Sequence, residues 1–265
     1  MIETPLAAGQ AWKERCQRAE QLLAGDPPVA DQLRLYVALC DAWSEIAVEV
    51  SAAPPSTGDL VDYAVDKAMP RVVARTLVAG PQALREAVVS RFHEGDRGAM
   101  LTAWLAGEEQ SPVDRYLARA STMAVLELVP ALARMSSWDP ADQRHCPACG
   151  GLPQLAYFGL SEEALVTAQR VLVCSRCAVS WAYPRMVCAG CGNDEGSKLP
   201  IFADHDRFPS LRIDACEVCR GYLVTVDRPK DPAAVPPVDE MLALPLDLYA
   251  REQGYRKLTP NLMGF

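Results

Sequence analysis

The chain has 265 residues, 50% of them apolar and 23% charged, a composition typical of a soluble globular protein of one or two domains. Its formal net charge of −8 argues against a nucleic-acid binder, because such proteins concentrate positive charge on one surface. The first residues do not resemble a signal peptide, and no later run is long and apolar enough to cross a membrane. We therefore expect a cytoplasmic protein without membrane insertion.

Residues 1–140 are predicted to form a helical domain. Several stretches repeat apolar residues at spacings of three and four, and proline and glycine residues separate them. We expect about five to seven helices, the last of them interrupted at Pro130. The stretches with this pattern are 31–50, 60–77, 81–92 and 112–135. The candidate core or interface aromatics are Trp43, Tyr63, Trp104 and Tyr116.

The pattern changes near residues 136–140 to short β-like runs separated by turn residues. The predicted strands are 170–173, 179–183, 211–213 and 222–226. A proline-rich stretch over 228–237 then leads to an amphipathic helix predicted over 238–253. The last residues, 259–265, are apolar enough that we expect them to dock on the protein surface.

Eight of the ten cysteines form four Cys-x-x-Cys pairs, separated by 24, 10 and 24 residues. Moving the first two pairs forward by 42 positions places all four cysteines on the last two pairs, and Gly150 on Gly192. This match indicates an internal duplication of one small unit. The pairs are Cys146 with Cys149, Cys174 with Cys177, Cys188 with Cys191, and Cys216 with Cys219.

Cysteine pairs with this spacing are typical of metal sites. Two cysteines three positions apart in a tight turn can direct both sulfurs at one ion, and two such turns complete a tetrahedral site. The duplication favours pairing of consecutive turns, so that each unit holds its own ion, over a cross-braced arrangement of the first turn with the third. A redox pair would be single, and disulfides do not suit a reducing cytoplasm. The spacing does not choose between zinc and iron.

The remaining cysteines and the histidines suggest no further site. Cys16 and Cys40 lie in helical stretches and are expected to be buried small hydrophobic residues. His145 is expected beside the metal ligands or in solvent, His205 in a solvated turn, and His93 at a helix end. No catalytic motif is present, so we expect no catalytic residues and a protein that is not an enzyme.

The chain contains the cysteine runs HCPACGGLP, RVLVCSRCAVSW, CAGCG and DACEVCRGYL. These runs resemble segments of the formate dehydrogenase accessory proteins of the FdhE type. The resemblance covers residues 140–265 well, including the closing segment from Val238, and residues 1–139 only in their helical, alanine-rich character. One position departs from the family: Ala182 stands where a histidine is common, so no role of that histidine carries over.

The resemblance implies a function that spacing alone does not. Proteins of this family are cytoplasmic, are not enzymes, and assist maturation of respiratory formate dehydrogenase. Their paired Cys-x-x-Cys sites are similar to those of rubredoxins and are thought to hold iron, and their cysteines matter for contact with the catalytic subunit. Carried over, the metal ligands are Cys146, Cys149, Cys174, Cys177, Cys188, Cys191, Cys216 and Cys219.

The combined prediction is an α+β fold with two metal modules. A helical domain over 1–140 precedes a first Cys₄ ribbon module over 141–185 and a second over 186–228; a linker with a C-terminal helix and tail follows over 229–265. The predicted cofactors are two iron ions, with zinc as the alternative. The alternatives to a maturation factor are a rubredoxin-like electron-transfer protein in enzyme assembly and, less favoured, a zinc-ribbon nucleic-acid binder.

Overall fold

The structure is a computed structural model that describes residues 10–135, 139, 141–160 and 168–265. The described residues divide into two compact units. One contains residues 10–135, the other runs from Asp139 to Asn261, and the last four residues are divided between them. The predicted change of pattern at 136–140 lies outside the described residues except at Asp139, and the predicted domain limits stay a prediction.

The first unit is helical throughout its described residues. Its helices are α1 (Gln10–Leu23), α2 (Ala30–Ala52), α3 (Leu60–Tyr63), α4 (Met69–Ala79), α5 (Gln82–Glu94), α6 (Arg97–Ala106) and α7 (Pro112–Leu128). A π-helical turn over Ala64–Ala68 joins α3 to α4 directly before Pro70, which has no N–H to continue the ladder. As predicted, α7 stops before Pro130. Within the described ranges, no helix combines the length and apolar character that crossing a membrane requires.

The core of the first unit centres on α2, which packs against α1, α4 and α7. Trp43 is completely buried, and its indole Nε1 donates a hydrogen bond of 2.8 Å to a backbone carbonyl oxygen of α7. Trp104 and Tyr116 are also buried, as predicted. Tyr63 is only half-buried, because its hydroxyl reaches outward to Glu49 at 3.3 Å. It is therefore not a core residue, and its assignment to an interface stays a prediction.

The second unit is built on one mixed sheet. Its strands are β1 (Pro153–Phe158), β2 (Arg170–Cys174), β3 (Ser180–Ala182), β4 (Ile201–Phe202), β5 (Leu211–Ala215), β6 (Gly221–Asp227) and β7 (Arg256–Lys257). The strand order is β3-β2-β1-β6-β5-β4. Strand β7 pairs in parallel with Gly221 and Tyr222 at the start of β6. All four predicted strands are present, and β1, β4 and β7 are additional. The predicted α+β fold with two cysteine modules is confirmed.

The two sequence repeats share this sheet. The first repeat contributes β1 to β3 and the second β4 to β6, each with antiparallel neighbours. Strands β1 and β6 pair in parallel, with Leu155 opposite Val224 and Tyr157 opposite Val226. The two repeats are therefore joined by backbone hydrogen bonds within one sheet. All six residues of β1 are buried, and a strand in that position needs partners on both sides for its backbone groups.

The predicted single C-terminal helix is interrupted. The structure has α8 (Pro236–Asp239), a 3₁₀ turn (Glu240–Ala243) and α9 (Leu244–Glu252) in its place. Pro245 has no N–H with which to bond the preceding turn, so a continuous helix over 238–253 cannot form. The end of the chain docks as expected: Asn261 and Phe265 are buried, and the Asn261 N–H donates to the Phe265 carbonyl oxygen at 2.8 Å.

A buried charge cluster fixes this C-terminal segment to the sheet. The Lys257 ammonium lies 2.6 Å from Oε1 of Glu240 and 3.4 Å from Oδ2 of Asp247, and all three side chains are at most 1% exposed. Gln154 of β1 donates a hydrogen bond to Glu240. Burial raises the pKa of Glu240, and Lys257 opposes that shift. No local sequence pattern predicts this cluster, because its members are far apart along the chain.

Candidate metal centres

The structure brings the eight paired cysteines together in two clusters. The sulfurs of each cluster lie within 4.8 Å of one another, and each cluster combines two consecutive turns, as the repeat predicts. The cross-braced arrangement is excluded by this geometry. The first cluster contains Cys146, Cys149, Cys174 and Cys177, and the second Cys188, Cys191, Cys216 and Cys219.

All four Cys-x-x-Cys turns close in the same way. In each, the N–H of the first cysteine donates to the carbonyl oxygen five residues later, at 2.8–3.0 Å. A second N–H of the turn donates to a cysteine sulfur at 3.3–3.4 Å. Such N–H···S bonds orient the sulfur and stabilise its thiolate form. The turns therefore hold the sulfurs ready for an ion.

The residue after each pair adopts a left-handed backbone. The φ angles are 80° at Gly150 and 78° at Gly192, where the sequence predicts a positive value. They are 54° at Ala178 and 56° at Arg220, where the residue is not glycine. The turn geometry, unlike the sequence, is therefore the same in all four pairs. The two non-glycine positions carry strain, because a Cβ atom disfavours this region by about 1–2 kcal/mol.

We expect Ala178→Gly to raise the free energy of unfolding by about 0.5–1 kcal/mol, since it removes the Cβ strain but adds flexibility to the unfolded chain. The matched change Gly150→Ala, at the same position of another turn, is expected to lower it by about 1 kcal/mol. Chemical denaturation of the two variants beside the parent checks both signs. A destabilised Ala178→Gly protein would contradict the assignment of strain.

Both clusters have the dimensions of a tetrahedral metal site. Metal–sulfur bonds of about 2.3 Å place the four sulfurs about 3.8 Å apart. In the first cluster, Cys149 lies 3.5 Å from Cys174 and 3.4 Å from Cys177, sulfur to sulfur. In the second, the sulfurs of Cys191 and Cys216 are 3.8 Å apart. Disulfide bonds, at about 2.05 Å, are far shorter. Each cluster could therefore hold one metal ion.

The protonation of the first cluster also fits a cation. Hydrogen bonds from Cys149, Cys174 and Cys177 lower the pKa of the Cys146 thiol. Burial and the bond to Cys146 raise the pKa of the Cys174 thiol well above its ordinary value. Four thiolates cannot coexist in this buried space without positive charge, because desolvation and mutual repulsion oppose their ionisation. A metal cation held by the four sulfurs would supply that charge.

The other candidate residues lie outside the clusters. His145 Nδ1 lies 2.9 Å from Oδ2 of Asp142, so it sits beside the first centre without joining it. His205 is exposed in a turn, and His93 is exposed in the last turn of α5, both as predicted. Cys40 is buried as expected, whereas Cys16 is only half-buried. Neither belongs to a metal-sized group among the described residues.

Comparison with known proteins identifies relatives across the whole chain. A family model described as "FdhE, C-terminal domain" matches residues 186–263. A protein named "Protein FdhE homolog" from Stutzerimonas stutzeri (strain A1501) is 27% identical over 264 residues, covering 91% of this chain and 85% of that protein. A second protein of the same name, from Pseudomonas aeruginosa PAO1, is 28% identical over 281 residues, covering 93% of this chain and 88% of that protein. Residues 186–263 therefore match the FdhE C-terminal domain, and most of the chain is similar to proteins named FdhE homolog.

Two further comparisons define how far this FdhE-family likeness extends. A homologue of the same name from Aquifex aeolicus (strain VF5) is 34% identical over 123 residues, which are 46% of this chain and 42% of that protein. The crystal structure of the FdhE protein from Pseudomonas aeruginosa has the same fold, with a TM-score of 0.71, 22% identity, and coverage of 99% of this chain and 98% of that one.

Proposed function

We propose that this protein is a metal-binding accessory factor for the maturation of formate dehydrogenase, acting in the cytoplasm and not itself an enzyme. The observation that carries the proposal is the pair of four-sulfur clusters, each with the spacing of a tetrahedral metal site. Resemblance to the FdhE-type accessory proteins supports the link to formate dehydrogenase.

In this proposal each cluster holds one ion through its four cysteine sulfurs. Iron is the proposed occupant and zinc the alternative, since both accept four thiolates in tetrahedral geometry. A bound ion would supply folding free energy and, if it is iron, a one-electron couple. The chain's own contribution is the set of turns, whose N–H groups donate hydrogen bonds to the sulfurs.

Metal analysis of protein purified without oxygen tests the occupant. We expect two equivalents of iron per chain, together with visible absorption from thiolate-to-iron charge transfer. A colourless protein with two equivalents of zinc would show that zinc, and not iron, occupies the sites. A folded protein without metal, which also fails to take up added iron or zinc, would contradict the proposed sites.

The proposed partner is the catalytic subunit of formate dehydrogenase. Anaerobic co-purification of the full chain with that subunit is the direct test. A serine variant of a cluster cysteine is expected to weaken the complex, whereas Cys40→Ala, in the helical unit, is expected to leave it unchanged. Absence of any complex with the native chain under these conditions would contradict the proposal.

Electron transfer during enzyme assembly is the second candidate function. The N–H···S bonds around both clusters favour it, because such bonds tune the potential of iron–thiolate centres. Cys191 and Cys219 are partly exposed, which would place an electron-carrying sulfur edge near a partner. Reversible bleaching of the visible absorption on reduction would support this role, and a protein that holds only zinc would exclude it.

A further inference from the structure

The two cysteine clusters have the same donors but differ in exposure. In the first, Cys146 and Cys149 are 0% exposed, Cys174 is 3% and Cys177 is 1%. In the second, Cys191 and Cys219 are partly exposed, although Cys188 and Cys216 are buried. We propose that the second cluster is the exchange site of this protein, where an incoming anionic ligand reaches the bound ion and removes or delivers it, and that the first cluster keeps its ion. This inference rests on the metal sites proposed above.

One repeat-related pair of residues accounts for part of the difference. Arg176, inside the second turn of the first cluster, is buried, and its aliphatic stem fills the space next to Cys174. A methyl group added at Gly151 would meet Cδ of Arg176 at 2.8 Å and the Cys174 sulfur at 3.0 Å. The position 42 residues after Arg176 is Val218, which is 60% exposed. The same turn position therefore covers the first cluster and leaves the second open.

A flexible side chain, that of Leu258, covers part of the second cluster. Leu258 lies beside both Gly190 and Gly221, where an added methyl group would meet its Cδ2 atom at 2.7 Å and 2.6 Å. The Cys219 sulfur is next to the same two glycines, at 3.5 Å and 3.2 Å from the added methyl positions. A leucine side chain changes rotamer quickly, whereas moving the buried Arg176 side chain disrupts its packing beside Gly151 and Cys174. Ligand attack at the second cluster therefore needs the smaller rearrangement.

A cationic cavity adjoins the second cluster. Its volume is about 50 Å³, enough for a small ligand group or ordered water, and Cys188 and Leu258 line it. Arg170, Arg185 and Arg212 also line it, against one carboxylate in the same wall, that of Asp214. Three positive groups and one negative group leave a formal charge of +2. A surface of this sign raises the local concentration of anions, so carboxylate and thiolate ligands are the class expected to enter.

Metal release from the full, metal-loaded chain tests the proposal. With excess EDTA, we expect two phases of one equivalent each, differing at least tenfold in rate. Iodoacetamide added after the fast phase is expected to alkylate Cys191 and Cys219, with Cys149 and Cys177 protected, as read by mass spectrometry. Equal rates at the two clusters, or earlier alkylation of Cys149 and Cys177, would overturn the exchange site. A chain that never binds metal would instead overturn the proposed function.

Matched variants assign the phases. Cys191→Ser is expected to abolish the fast phase, and Cys149→Ser, at the equivalent position of the first repeat, to abolish the slow one. Leu258→Ala is expected to accelerate the fast phase several-fold and leave the slow phase unchanged. Arg185→Gln, on the exposed side of the cavity, is expected to slow release by EDTA a few-fold but not release by the neutral chelator 1,10-phenanthroline. An equal effect on both chelators would overturn the anionic route.

Discussion

Replacement of Cys146 by serine is expected to lower the metal content from two ions per chain to one. The Cys146 sulfur is completely buried in the first cluster, and a neutral hydroxyl there cannot replace the thiolate. We expect the free energy of unfolding to fall on the order of 5 kcal/mol, a fraction of the roughly 10–16 kcal/mol that a structural zinc site contributes in small metal-dependent domains. Elemental analysis and denaturant unfolding measure the two effects.

The same substitution is expected to disturb the second repeat. Because β1 and β6 pair in parallel, loosening the first repeat removes one partner from residues such as Val224. Hydrogen exchange should therefore speed up in β6 as well as in β1 and β2. Cys40→Ala, a change of similar size in α2, should leave metal content and exchange in the sheet unchanged. A folded Cys146→Ser protein that keeps two ions, or loses both, would contradict the assignment of ligands.

Replacement of Lys257 by methionine is expected to have the next largest effect, a loss of about 3–5 kcal/mol in the free energy of unfolding. Methionine fills similar space but leaves the Glu240 and Asp247 carboxylates buried without the ammonium that lies 2.6 Å and 3.4 Å from them. The stability is lost because the buried carboxylates keep their charge without a partner. Removing one member of a buried ion pair destabilises a protein more than replacing both members by apolar residues. Urea unfolding at constant metal loading measures it.

The loss in the free energy of unfolding caused by Lys257→Met should depend on pH. The pKa of Glu240 is already raised by burial, and removing Lys257, which lowers it, raises it further. Between the ordinary value and this raised pKa, the native state binds more protons than the unfolded state, so stability falls as pH rises through that window. The destabilisation by Lys257→Met should therefore be smaller at pH 6 than at pH 8.

A second substitution separates this explanation from a simple packing defect. In a Glu240→Gln background, no carboxyl remains at that position to titrate, so the pH dependence of the Lys257→Met effect should largely disappear. The amide oxygen introduced by this substitution can still accept the hydrogen bond that Gln154 donates. A loss in the free energy of unfolding that is larger at low pH would contradict the buried-charge explanation. So would a pH dependence that persists unchanged in the Glu240→Gln background.

The cysteine chemistry could be predicted from the sequence because its determinants are local. Two cysteines three positions apart define a turn, and the 42-residue repeat shows which turns belong to one unit. The four strands with alternating or β-branched patterns were predicted for the same reason. The left-handed backbone at Ala178 and Arg220 could not be predicted from those residues alone. It follows from the turn that the cysteines close and not from the residues' own conformational preference.

The two four-sulfur clusters and the α+β class were thus set by local pattern, whereas the joining of the repeats and the exposure of each cluster were decided by tertiary contacts. Strand β1 is buried on both faces and lacks an alternating pattern, so its partners are defined only by the sheet. The charge cluster around Lys257 depends on segments that meet only after folding. Arg176 and Val218 occupy the same place in identical turns, and only the surrounding side chains bury one and expose the other.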